Sequence, residues 1–161
     1  MLNDVGYFEE DGFTLMEVLV SLLISCSILI LSLRLLSDQW WRSKEINARQ
    51  EIQYALLIAG ETISKAIRSA QTVQCPAPGV LEILPWPEAG YNQADVFYID
   101  DKDRDGITDL YCEHLNVPNP VASWITNLTC TEVEPDLWQI TFQAEMNQQQ
   151  AVWVSLIRRR T

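Results

Sequence analysis

Proline is absent from the first 75 residues of this 161-residue chain, and the first one is Pro76. Proline breaks helices by removing an N–H and crowding the preceding turn, so nothing in that stretch forbids one unbroken helix. Lysine and arginine are also missing from the start, the first being Arg34. This excludes the basic opening of an ordinary secretory signal peptide. Histidine occurs once, as His114, and the four cysteines include no CxxC pair. The usual zinc arrangements are therefore excluded. No glycine-rich phosphate loop occurs, and no nucleophile stands in a motif with a base, so the chain is not expected to be an enzyme. Bases are scarce, with 11 Lys and Arg against 22 Asp and Glu and a net charge of −11. Such a chain lacks the positive footprint that nucleic-acid phosphates require.

What is present is a long apolar run. Phe13 to Leu36 is 24 residues, or roughly 36 Å of helix at about 1.5 Å per residue, enough to cross a hydrocarbon core of about 30 Å. One acid, Glu17, lies inside it. A carboxylate at membrane depth costs roughly 2.5–3.5 kcal/mol on insertion scales, so Glu17 calls for a function and a partner. Without Gly12 and Glu17, the run would read as an ordinary uncleaved anchor.

The segment Gly12-Phe13-Thr14-Leu15-Met16-Glu17 and the apolar run behind it resemble the type IV pilin superfamily, which comprises pilins, minor pilins and the pseudopilins of type II secretion. The likeness is close from Gly12 to about Leu36 and looser to Ala70. It implies that a prepilin peptidase cuts between Gly12 and Phe13, that Phe13 is then N-methylated, and that Met1 to Gly12 is a leader. It further implies that Glu17 neutralises the N-terminal ammonium of a neighbouring subunit in a filament. Coulomb attraction of about 4 kcal/mol at 4 Å, with an effective dielectric of 20, is similar in size to the burial penalty and fixes register. The leader departs from the family in carrying Asp4, Glu9, Glu10 and Asp11 and no base. Without it, 18 acids remain against 11 bases, a side-chain charge of −7. Arg34, Arg42 and Lys44 follow the run, a bias that alone would place the large domain in the cytoplasm. The resemblance and the cysteines place it outside: a single-pass inner-membrane protein with a periplasmic domain that passes into a pilus or pseudopilus.

Residues 37–161 suffice for one compact domain. Ile52, Leu56, Ala59, Ile63 and Ile67 recur at helical spacing, so an amphipathic helix is expected over 37–70. Joined to the span, it makes a rod of about 58 residues, roughly 87 Å long. Gly60 would permit bending, and Trp40 and Trp41 suit either a membrane interface or packing on the domain. Four strands are expected over 71–161: Val80–Leu84, Asp95–Ile99, Leu137–Ala144 and Ala151–Ile157. In the third, Trp138, Ile140 and Phe142 alternate with polar residues; in the fourth, Val152, Val154 and Leu156 share a side. Glu145 to Gln150 reads as a polar hairpin loop. The fold class is α+β, a long N-terminal helix packed on an antiparallel sheet. The ending Ile157-Arg158-Arg159-Arg160 is similar to that of PilW-like minor pilins.

The strongest chemical motif is Asp101-Lys102-Asp103-Arg104-Asp105-Gly106-Ile107-Thr108-Asp109. Calcium takes six to eight oxygens, and acids at alternate positions around a glycine turn supply them from one segment. Asp101, Asp103, Asp105 and Asp109, with the carbonyl of Ile107, are the candidate Ca2+ ligands, and Asp100 is a further one. The loop looks like those of EF-hand and dockerin proteins, but Cys112 occupies the twelfth position, where a bidentate acid is expected. The alternative is a solvated acidic hairpin tip, partly neutralised by Lys102 and Arg104. Of the cysteines, Cys26 falls in the apolar helix. A disulfide is expected between Cys112 and Cys130, with Cys75–Cys112 as the alternative.

These readings give a minor pilin that helps to initiate or cap type IV pilus assembly. Alternatives are a minor pseudopilin similar to the J-type subunit, and a pilus-tip adhesin or DNA-uptake subunit, the last disfavoured by the acidity. The resemblance implies as partners other minor pilins or pseudopilins, the major subunit, the prepilin peptidase and an inner-membrane assembly platform.

Overall fold

The structure is a computed structural model in which residues 14–87, 90 and 92–160 are described. Gly12 and Phe13, the expected cleavage junction, lie outside them. Among the described residues one helix, α1 (Leu15–Arg68), is followed by eight strands: β1 (Ala70–Ala77), β2 (Val80–Pro85), β3 (Asp95–Asp100), β4 (Asp109–His114), β5 (Val117–Ser123), β6 (Ile125–Glu134), β7 (Leu137–Met146) and β8 (Gln149–Arg158). The class is α+β, as the sequence implied. Helix α1 holds 54 residues, and Lys65 and Arg68 in its last turn suit the negative end of the helix dipole.

The chain forms two compact units, Met1–Ser43 and Lys44–Thr161. In the first, the described residues from Leu15 onward are helical and exposed. The helix contains an 18-residue window of mean hydropathy 2.4 with none of its residues buried, so it is long and apolar enough to span a bilayer. The hydroxyls of Ser21, Ser25, Ser27 and Ser32 donate to the carbonyls of Val18, Ser21, Leu23 and Ile28 at 2.7–2.9 Å. Each serine hydroxyl in the run is thereby satisfied without water, as a hydrocarbon environment demands.

In the second unit the expected stripe is the core. Ile52, Leu56, Ala59, Ile63 and Ile67 are all buried, with Ile63 and Ile67 fully so. Each such isoleucine contributes about 1.5–3 kcal/mol by leaving water. They share one cluster with Leu81, Ile83, Phe97 and Leu110 from β2–β4 and with Ile125, Leu128, Ile140, Phe142 and Ile157 from β6–β8. Gly60 lies on this face as a packing site: a Cβ there would sit 2.6 Å from the Trp153 ring.

The strands form two antiparallel sheets, β1-β2-β3-β4-β5 and β6-β7-β8. All four expected strands are present, as β2, β3, β7 and β8. The other four strands, β1, β4, β5 and β6, were not expected from the sequence. Pro118 and Pro120 fall in β5, an edge strand, where a missing N–H does not break the sheet. The loop expected over Glu145–Gln150 shrinks to two residues, because Met146 pairs with Gln149. Asn147 and Gln148 take φ of 50° and 65°, the left-handed pair that a tight hairpin turn requires. Leu115 and Asn116 do the same between β4 and β5. Along β8 the shared side of Val152, Val154 and Leu156 faces outward, each residue being more than half exposed, whereas Ile157 of the other side is buried.

Candidate functional site

The first candidate group is at the start of α1. The Thr14 N–H donates to Glu17 Oε2 at 2.9 Å, the Thr14 hydroxyl donates to the same oxygen at 3.1 Å, and the Glu17 N–H donates to the Thr14 hydroxyl at 3.3 Å. This is a capping box, which satisfies helix N–H groups that have no partner in the helix. The T-x-x-E spacing was visible in the sequence, and its capping role was not read from it. Glu17 thus has a local partner in the single chain. Trp40 and Trp41 are both about two-thirds exposed.

The second group is the acidic loop between β3 and β4. Cross-strand pairing of Asp100 with Asp109 closes its neck. Within it, the Asp101 carboxylate accepts the N–H groups of Asp105 and Gly106, both at 3.1 Å, and Asp105 Oδ1 accepts the Ile107 N–H at 2.7 Å. Gly106 has φ of 84° and Arg104 of 60°, so the turn bends at left-handed positions, where glycine is the least strained residue. One carboxylate oxygen from each of Asp101, Asp103 and Asp105 lies within 4.8 Å of the others. Among the described residues no ion pair neutralises these three acids.

Lys102, read as a possible internal counter-charge, is drawn elsewhere. Its ammonium bonds the Tyr98 hydroxyl. It also lies 4.7 Å from the Tyr98 ring centre and 5.5 Å from that of Tyr111. The hydrogen bond to Tyr98 is the main cause of a raised Lys102 pKa, which keeps the group charged. This cation–π arrangement was not read from the sequence; Tyr98 and Tyr111 face each other only once β3 and β4 are in register.

Asp109 differs from the loop acids in being buried, with 8 % of its surface exposed. Its Oδ1 is buried without a hydrogen-bond partner. Desolvation pushes its carboxyl above the usual range; a Ser123 hydrogen bond opposes this, the charges of Asp103 and Asp105 add to it, and a bond from the Trp124 backbone opposes it further. Ile107 is partly buried between these groups in sequence.

The cysteine expectation is corrected. The disulfide joins Cys75 on β1 to Cys130 on β6, with Cα atoms 6.5 Å apart, and neither Cys112–Cys130 nor Cys75–Cys112 forms. Cys112 stays reduced and half-buried. The physical reason is topology. The 112–130 stretch is already ordered by the β4–β5 ladder and by the β6–β7 ladder. The bond instead spans the two sheets, which no ladder connects among the described residues. Burial pushes the Cys112 thiol up to about 11, with the nearby Asp95 charge adding to the effect. Cys26 is exposed on α1.

Compared with known proteins, the chain matches no family model, no curated protein and no solved structure. The fold itself, one long helix with an apolar N-terminal run and a later half packed on antiparallel sheets, is compatible with a pilin-like architecture.

Proposed function

We propose that this chain is a minor pilin, a structural subunit that helps to initiate or cap a type IV pilus. One observation carries the reading: a single helix contributes an exposed apolar run at its start and the central core stripe of a folded domain at its end. An ordinary anchor needs only to hold its domain at the membrane, and a linker would do. The helix that supplies the anchor also supplies the core stripe of the domain, which suits a subunit extracted from the bilayer and packed among like helices.

In this reading the peptidase cuts after Gly12, and Phe13 supplies the ammonium that Glu17 of a neighbouring subunit meets. In a bilayer the unpaired carboxylate is costly, and inside a filament it has a cationic partner. The capping contact with Thr14 holds the carboxylate at the end of the helix until that partner arrives. The domain, on the periplasmic side, is cross-linked by Cys75–Cys130, which an oxidising compartment maintains.

Sheared surface filaments test this directly. The subunit is expected at low abundance in that fraction, with fewer filaments in cells lacking it. Normal filament number without it, together with loss of protein export, would assign it to a type II secretion pseudopilus instead.

A further inference from the structure

We propose that the β3–β4 loop and Asp109 together bind one Ca2+ ion, which ties this hairpin to the crossing between the two sheets. The site is independent of the assembly reading. Two ligands on opposite sides of a calcium ion are about 4.6–5.2 Å apart, given Ca–O distances of about 2.3–2.6 Å. The oxygens of Asp101, Asp103 and Asp105 lie within 4.8 Å of one another, so one ion reaches all three. Asp101 keeps lone pairs free after accepting its two backbone N–H groups.

A second observation, separate from the cluster, points to the cation. Asp109 is nine-tenths buried, and its Oδ1 has no hydrogen-bond partner. It stands at the root of the loop, paired across the sheet with Asp100 on one side and Ser123 on the other. The charges of Asp103 and Asp105 reach it. A buried carboxylate oxygen without a donor is costly unless a cation meets it. Lys102 does not, because it is engaged with Tyr98 and lies over the Tyr98 and Tyr111 rings.

The twelfth position itself supplies no ligand. Cys112, at that position, packs against the core from β4. Glu113, one residue later, has Oε2 at 3.4 Å from the Tyr98 hydroxyl. The closing acid is therefore Asp109, held from below by the strand, with the Ile107 carbonyl and waters completing the shell. All these donors are oxygen, which selects a hard cation over transition metals. An irregular set drawn from the protein itself suits calcium better than magnesium, which demands a near-ideal octahedron and keeps its waters.

The position of Asp109 gives the ion a structural task. Ser123 ends β5 in the five-stranded sheet, Ile125 begins β6 in the three-stranded sheet, and Trp124 between them has φ of 67°. Asp109 bonds to both Ser123 and Trp124. An ion on Asp109 thus fixes the point at which the chain leaves one sheet for the other.

The test uses the full chain in detergent, stripped with chelator, titrated with CaCl2 by calorimetry and melted in 1 mM calcium or in EGTA. Binding of one ion per chain is expected, with a rise of about 3–8 °C in Tm that magnesium does not reproduce. Asp103 and Asp105 are exposed, so Asp103→Asn with Asp105→Asn leaves folding intact; it is expected to abolish both the heat and the shift without lowering Tm in EGTA. Asp109→Asn is expected to lose the calcium shift and to melt higher than wild type in EGTA, because a buried charge has gone. Equal Tm in calcium and EGTA with no binding heat would overturn the site. So would a full calcium shift in the Asp103/Asp105 variant. A full shift in Asp109→Asn would overturn the role of the buried acid.

Discussion

The indole of Trp153 occupies the space that a side chain at Gly60 would need: a Cβ on Gly60 would fall 2.6 Å from both Cε2 and Cζ2 of that ring. Trp153 also meets Phe142, ring centres 5.7 Å apart. Helix α1 and strand β8 approach this closely because residue 60 has no side chain. Glycine inside a helix costs about 1 kcal/mol relative to alanine, and the tryptophan packing offsets it.

Gly60→Ala is therefore expected to destabilise the domain by about 1–3 kcal/mol, although alanine is the better helix former. Denaturant unfolding of the full chain in detergent measures this. Combining it with Trp153→Leu should recover part of the loss. An unchanged or raised stability in Gly60→Ala would show that the ring has room to move.

Removing the sheet-to-sheet cross-link should be costly. The Cys75–Cys130 loop spans 55 residues, for which the chain-entropy relation gives about 4 kcal/mol. Cys75→Ser is expected to lose about 2–4 kcal/mol, and Cys112→Ser under 1 kcal/mol, as measured by unfolding. Peptide mapping without reductant should recover Cys75 joined to Cys130 and Cys112 free.

The Cys112 thiol should be slow to alkylate. With its pKa raised to about 11, only about a thousandth is thiolate at pH 8, and the thiolate is the nucleophile. Iodoacetamide labelling of the native chain, followed by mass spectrometry, should rise about tenfold per pH unit from 8 to 10. A plateau near pH 9 would mean that the thiol behaves as an ordinary exposed cysteine.

Glu17 has two separable roles. Glutamine preserves a capping box but carries no charge, whereas alanine preserves neither. If the carboxylate meets a neighbouring ammonium, Glu17→Gln and Glu17→Ala should both lose incorporation into filaments, by an order of magnitude or more in sheared fractions. Normal incorporation of Glu17→Gln would reduce the acid to a helix cap.

The helix and its core stripe were legible because period 3.6 and the absence of proline act locally: Ile52 to Ile67 stand where the spacing put them. Strand β7 was equally plain, since Trp138, Ile140 and Phe142 alternate with polar partners. Strand β5 was not, because it lies at an edge, buries little and carries two prolines. Strand β6 was hidden by the polar Asn127, Thr129 and Thr131, of which Thr129 and Thr131 are exposed. The Cys75–Cys130 pairing depends on how two sheets stack, which spacing does not encode. In the acidic loop the ligand residue types were evident, but that Asp109 is buried with an unpartnered oxygen follows only from the β4–β5 register.

The central claim is that Phe13 becomes a mature N-terminus while α1 remains attached to the domain. Intact mass and N-terminal sequence of the protein, recovered from membranes of cells with and without the prepilin peptidase, test it most directly. The account predicts a chain beginning at N-methylated Phe13 only where the peptidase is present. A chain beginning at Met1 in both cells would contradict it and leave an N-terminally anchored domain.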